Sequence, residues 1–213
     1  MRKLVFLPLF ALALACSDST LVEPAGDQEV AAAKDGAMKK VLFLDDFEDG
    51  DSDGWDLWGD GWSIEAENGN HVLSSSTGSH FAIATLQHAG WYNFSFKSAV
   101  KFVSGETYCE LLLRIDDLGQ HYWVQIAENG VALHKEGATG AFEELARHDM
   151  DIVQSAWYDF EIVAKNKKIK VYVDGSLKIN VKDDDPWGNI GTIGLEVHEN
   201  THVHFDDVLV ARK

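Results

Sequence analysis

The chain has 213 residues, with 18 Lys and Arg against 35 Asp and Glu and a net charge of −17. That acid excess argues against nucleic acid, or any strongly anionic surface, as a partner, because phosphate recognition needs a basic patch, and it favours cations. Two cysteines, Cys16 and Cys109, are too few for a disulfide framework.

The chain opens with Arg2 and Lys3 and runs on through an apolar stretch from Leu4 to Ala15, too short to span a bilayer as a helix and shaped like a secretory signal. It ends at Leu14-Ala15-Cys16, which resembles the lipobox of bacterial lipoproteins, where the Cys is lipidated and becomes the new N-terminus. Ala13 stands where that pattern has Leu, so cleavage by ordinary signal peptidase is the competing reading. Residues 16–40 turn to Ser, Ala, Asp, Glu and Gly without a period, which suits a flexible tether. The expected setting is the bacterial cell envelope, lipid-anchored at the outer membrane or cell surface, or secretion. The 173 residues from Val41 to Lys213 suffice for one domain with its own core.

A period of two recurs through that domain, and no long helix is expected. Strands are expected at Val41 to Phe47, Trp62 to Glu67, His71 to Ser75, Phe81 to Leu86 and Tyr92 to Phe102. Tyr108 to Glu136 follows as a three-stranded meander, turning at Asp116 to Gln120 and at Glu128-Asn129-Gly130. Ala141 to Val153 reads either as one helical turn or as an irregular edge strand. Further strands are expected at Trp157 to Ala164, Ile169 to Val173, Leu177 to Val181, Gly191 to His198 and His202 to Ala211. Asn68-Gly69-Asn70, Asp174-Gly175 and Glu199-Asn200-Thr201 mark turns between them. Many short antiparallel strands mean an all-β sandwich or barrel.

Several stretches look like the concanavalin A-like jelly rolls, a superfamily of laminin-G-like domains, legume-type lectins, carbohydrate-binding modules and laminarinase-type hydrolases. They are Asp45-Asp46-Phe47-Glu48, the W-x-I…G-x-x-x-L segment from Trp62 to Leu73, LLLRIDDLGQHYWVQI, VYVDG from Val171 and FDDVLV from Phe205. The resemblance spans the whole of residues 41–213 and implies a sandwich of two antiparallel sheets. Such folds often hold a Ca²⁺ with carboxylates from the first and last strands, a role the resemblance carries to Asp46, Glu48 and Asp206. The competing reading is a solvated acidic edge.

The meander supplies the candidate binding face. Alternation puts Glu110, Leu112 and Arg114 on one side of a strand, opposite Cys109, Leu111, Leu113 and Ile115. Cys109 then reads as a buried thiol. On the next strand His121, Trp123 and Gln125 share one parity. Trp123 is the expected stacking platform for a sugar ring, Arg114 the bidentate donor, and Glu110 and Gln125 partners for hydroxyls. Glu196 and His198, of one parity on the penultimate strand, join this surface if the strand order follows the resemblance. Trp62 and Trp157 read as core. His202 and His204 form an H-x-H pair whose third ligand the spacing does not supply, and exposed strand histidines are the plainer reading.

No E-x-D-x-x-E strand of laminarinase type occurs, and CELLLRI and WVQIAEN only echo the strands of jelly-roll alginate lyases. The expected function is therefore noncatalytic recognition of a polysaccharide or oligosaccharide, with structural Ca²⁺. A glycoside hydrolase or polysaccharide lyase on the same fold, and an envelope protein–protein interaction domain, are the alternatives.

Overall fold

The computed structural model describes residues 40–213 apart from 79 and 88. The expected signal peptide, tether and lipidation of Cys16 lie outside those residues. In chain order the strands are β1 (Val41–Asp45), β2 (Trp55–Trp58), β3 (Trp62–Glu67), β4 (Asn70–Ser76), β5 (Ala82–Leu86), β6 (Phe94–Gly105), β7 (Tyr108–Ile115) and β8 (His121–Ala127). They continue with β9 (Gly130–Glu136), β10 (Phe142–Asp149), β11 (Tyr158–Lys165), β12 (Lys168–Val173), β13 (Ser176–Lys182), β14 (Thr192–Val197) and β15 (Thr201–Arg212).

Two antiparallel sheets result. The first has the order β13-β12-β11-β6-β15-β4-β3 with β1 paired to β15; the second has the order β10-β9-β8-β7-β14-β5-β2. This is the concanavalin A-like jelly roll that the sequence resembles. The sheets bury one face each, because Cys109, Leu111 and Leu113 of β7 and Val124 and Ile126 of β8 meet Phe94, Phe96, Phe160, Ile162 and Phe205 of the first sheet in one core. Each such side chain contributes on the order of 1.5 to 3 kcal/mol by leaving water.

The core parity of β15 changes within the strand: Val203 and Phe205 point inward, and so do Val208 and Val210. The bulge that reconciles them falls between Asp206 and Leu209, with Asp207 at φ 50°. His202, His204 and Asp206 therefore line the outer face, and the apolar set is retained beyond the kink.

Of the two readings open for Ala141 to Val153, the edge strand holds, as β10, and other expectations are corrected. The Gly/Asp-rich stretch around Trp55 forms β2, with Trp55 buried against Phe43 and its Nε1–H donating to Asp45 Oδ2 at 2.9 Å. Trp62 is half-buried against Phe205, but Trp157 is 39% exposed and lies under the Lys101 ammonium, 5.0 Å from its ring.

Candidate functional site

Cross-strand partners in an antiparallel pair share a face, so register shows which side chains meet on the outer side of the second sheet. One row runs Arg147, Ala132, Gln125, Glu110, Glu196, Ile83, Trp58 across seven strands. The next row holds Glu144, His134, Trp123, Leu112, Gly194, Thr85 and Asp56. Gly194 supplies no side chain, and the space its Cβ would take is filled by the Ile115 and Leu112 side chains, whose Cδ1 atoms would lie 3.1 and 3.2 Å away. Glu110, Trp123, Gln125 and Glu196 are thus brought together, with His121 and His198 at the ends of the same face.

Arg114 is not among them. It has φ 57° beside the register shift in the β7–β14 pairing, and that left-handed residue swings its side chain off the face. The guanidinium is fully buried, donating through Nη2 to Tyr92 O at 3.0 Å and Asn166 O at 2.9 Å, and lies 5.7 Å from the Tyr92 ring. The alternation that put it beside Glu110 stops one residue short of it, so Arg114 is a structural clamp and not a ligand-binding donor.

Trp123 is on the face, yet its ring is only 9% exposed. His134 stacks on it at 4.8 Å and 12°, His121 lies 5.5 Å away and Phe142 6.2 Å. Its faces are already covered, so it is a support and not an open stacking platform. The open aromatic surface lies at the other end of the face, where Trp58 is 59% and Phe81 44% exposed with ring centroids 5.1 Å apart. Trp58 reads as loop in the sequence because β2 is only four residues long, too short to display a period. His134 was within reach, since Val131 and Leu133 alternate with Ala132 and His134.

Between the aromatics sits a proton-handling cluster. His198 Nε2 lies 3.3 Å from Glu110 Oε1 and 3.6 Å from Glu196 Oε1, and Tyr108 OH donates to Glu110 Oε1 at 3.2 Å. Burial, and then the Glu110 charge, push the Glu196 pKa up to about 7. Burial and the same carboxylate raise that of the Tyr108 hydroxyl, which keeps its proton. Such a group can exchange a proton near neutral pH beside a permanent donor. One oxygen of each carboxylate and His198 Nε2 also lie within 4.8 Å of one another, a set able to hold a cation. The two carboxylates share one place, whereas a glycosidase pair flanks a scissile bond with about 5 to 9.5 Å between them.

The residues of the expected Ca²⁺ site meet less tightly. Glu48 Oε1 accepts the His71 N–H at 2.7 Å, Asp206 Oδ2 accepts from Asn70 Nδ2 at 2.7 Å, and Asp46 Oδ1 accepts the Glu48 N–H at 3.4 Å. Burial, with Asp207 and Glu48 adding negative charge, raises the Asp206 pKa. Among the described residues the sets of three ligating atoms that close within 4.8 Å are the cluster above and Glu65, His202 and His204 on the first sheet.

Similar solved structures share the fold at low identity. A carbohydrate-binding module, CBM66 from Bacillus subtilis, is 20% identical with a TM-score of 0.64, covering 74% of this chain and 95% of its own. A Bacillus subtilis protein of unknown function with a galectin-like fold is 12% identical with a TM-score of 0.67, covering 81% and 96%. A putative glycosyl hydrolase from Parabacteroides distasonis is 13% identical with a TM-score of 0.56, covering 82% and 100%. No curated protein matches the chain in sequence. A family model does match, over residues 41–211, and by it the chain belongs to the 3-keto-alpha-glucoside-1,2-lyase-like domain family.

Proposed function

We propose that the domain binds a saccharide across the outer face of the second sheet. The observation that carries this is exposed Trp58, packed on Phe81 and in the same cross-strand row as Glu196 and Glu110. An indole face covers the C–H patch of a pyranose, and the carboxylates of Glu196 and Glu110, two and three strands away at about 4.8 Å per strand, reach the hydroxyls of the same or the next ring. Gln125 and His121 continue the polar face on the far side, with Trp123 packed beneath His134 as their support. The fold shared with a carbohydrate-binding module and the family's own description support this reading.

A glycan array probed with the full chain and with Trp58→Ala tests it. Binding that falls roughly tenfold in the variant, as loss of one stacking contact and its buried area requires, is expected. Equal binding by both proteins, or none by either, would remove the saccharide reading.

The raised Glu196 pKa and the family description favour a second reading, elimination on a 3-keto sugar. A carbonyl at C3 acidifies the C2 proton. Glu196 as carboxylate would take that proton while the C1–O bond breaks, leaving a C1–C2 double bond, and Tyr108 or protonated His198 would return a proton to the departing oxygen. Incubation with 3-keto disaccharides should then yield an unsaturated product that Glu196→Gln fails to form. Saccharide binding without any product would leave the domain a binder.

We also propose that Glu48 and Asp206, with Asp46 beside them, hold a structural Ca²⁺. Hard oxygens and uncompensated negative charge at Asp206 fit that ion.

A further inference from the structure

We propose that Glu65, His202 and His204 form a binding site for a divalent transition metal ion such as Zn²⁺ on the outer face of the first sheet, opposite the saccharide face and independent of it. Strand geometry creates the cluster. Val203 and Phe205 belong to the core, so His202 and His204 project outward two residues apart on β15. β4 pairs with β15 on one side and β3 on the other, which brings Glu65 of β3 across to both imidazoles. Glu65 Oε2 is 3.4 Å from His204 Nε2, and Glu65 Oε1 is 3.8 Å from His202 Nε2. Ligands about 2.0 to 2.1 Å from a tetrahedral ion stand roughly 3.3 Å from one another; the two Glu65–imidazole distances are near that value, and one donor atom from each of the three residues lies within 4.8 Å of the others.

His204 points to a ligand independently of this spacing. Its side chain is buried, with 7% exposure remaining, and its Nε2 has no hydrogen-bond partner. The other ring nitrogen, Nδ1, lies 3.1 Å from Glu67 Oε2. A carboxylate that accepts from Nδ1–H fixes the tautomer with the Nε2 lone pair directed at Glu65, which is how carboxylates orient metal-bound histidines. Glu67 in turn is paired with the Lys101 ammonium, so the nearest cation is neutralised and Glu65 keeps its charge for the ion. An ion would displace the contact of Ser74 Oγ with His202 Nε2 at 3.1 Å and compete with the Ser63 Oγ–H that reaches Glu65 Oε1 at 3.4 Å.

The donor set selects the ion. Two imidazoles and one carboxylate suit Zn²⁺, Co²⁺, Ni²⁺ or Cu²⁺, whereas Ca²⁺ and Mg²⁺ take oxygen cages. The side chains of Glu65 and His202 are 42% and 23% exposed, so the ion would meet solvent on the outer side and complete its coordination with water. A three-ligand site with an open position differs from a closed structural zinc site.

Titration of the metal-free full chain with Co²⁺, read by visible absorption and followed by displacement with Zn²⁺, tests the proposal. One equivalent should develop the intense bands of a four- or five-coordinate ion, which Zn²⁺ bleaches. Glu65→Gln and His202→Asn, both at the surface and checked for unaltered unfolding, should abolish that absorption, and Glu67→Gln should weaken Co²⁺ binding about 10- to 100-fold. Glu110→Gln should leave it unchanged. Failure of the wild type to bind one equivalent, persistence of binding in Glu65→Gln and His202→Asn, or its loss in Glu110→Gln would each overturn the assignment. In those cases His204 is simply an imidazole paired with two carboxylates, or the ion belongs to the other sheet.

Discussion

Burial in the second sheet, reinforced by Glu110, keeps Glu196 protonated to about pH 7 in the folded chain. In the unfolded chain the same carboxyl ionises near its ordinary value, around 4.3. Between those limits the folded state holds a proton that the unfolded state has shed, so this residue makes stability fall as pH rises, from full effect below the unfolded value to none above about 7. The span corresponds to on the order of 3 kcal/mol. The wild type should therefore lose unfolding free energy relative to Glu196→Gln between pH 5 and pH 7.5, measured by urea denaturation; a flat difference would show Glu196 ionised like a surface carboxylate. Arg114 shows where residue-level reading stops. Alternation along CELLLRI is sound through Leu113, but nothing in the residue types announces a left-handed arginine at a bulge. The same loss of information hides the bulge at Asp207 until the parity of Val203 and Phe205 is compared with that of Val208 and Val210.

At the level of elements, the two sheets are tied at one end by a buried polar joint. Lys135 of β9 pairs with Asp183, just beyond β13, at 3.2 Å to each carboxylate oxygen. Tyr122 OH donates to the same carboxylate at 2.9 Å, Lys135 Nζ donates to Asp185 O at 3.0 Å, and the ammonium lies 4.5 Å from the Trp187 ring. Removing one partner leaves a charge stranded in a dry environment. Asp183→Ala should cost about 3 to 5 kcal/mol in chemical denaturation, whereas Asp184→Ala, at the exposed neighbour, should cost far less. Equal effects would show that the joint carries no load. Most strands were legible, because β6, β7, β8, β11 and β15 are long enough to display alternation over a shared core. Four-residue β2 was not, and β10, exposed along most of its length, has too little apolar face to separate a strand from a helical turn.

For the whole molecule, the resemblance carried by scattered motifs was enough for the two-sheet architecture, since the motifs fall on strands of both sheets. It was not enough for the site. Parity plus an assumed strand order placed Glu110, Gln125, Glu196 and His198 on one face, as the register and the His198–Glu110 contact do, but the open ring is Trp58 and not Trp123, because neighbours across strands decide which ring stays open. The acidic corner is likewise a property of chain ends brought together: Asp46 and Glu48 follow β1, Asp206 lies on β15, and these strands pair. If Ca²⁺ binds there, EDTA should lower the melting temperature of the wild type and leave that of Asp206→Asn nearly unchanged; equal melting curves with and without EDTA would discard the ion.

The pairing of β1 with β15 has a topological consequence as well. The Arg212 N–H donates to Lys40 O at 2.9 Å, so the path through the domain starts and finishes at one point and is almost a closed ring. A ring of this kind can be spliced into a loop of another protein, or reopened at an exposed turn such as Asp174-Gly175, without rerouting any strand. Both ends leave from the first sheet, so whatever is fused to them starts from the side of the sandwich away from Trp58 and Glu196.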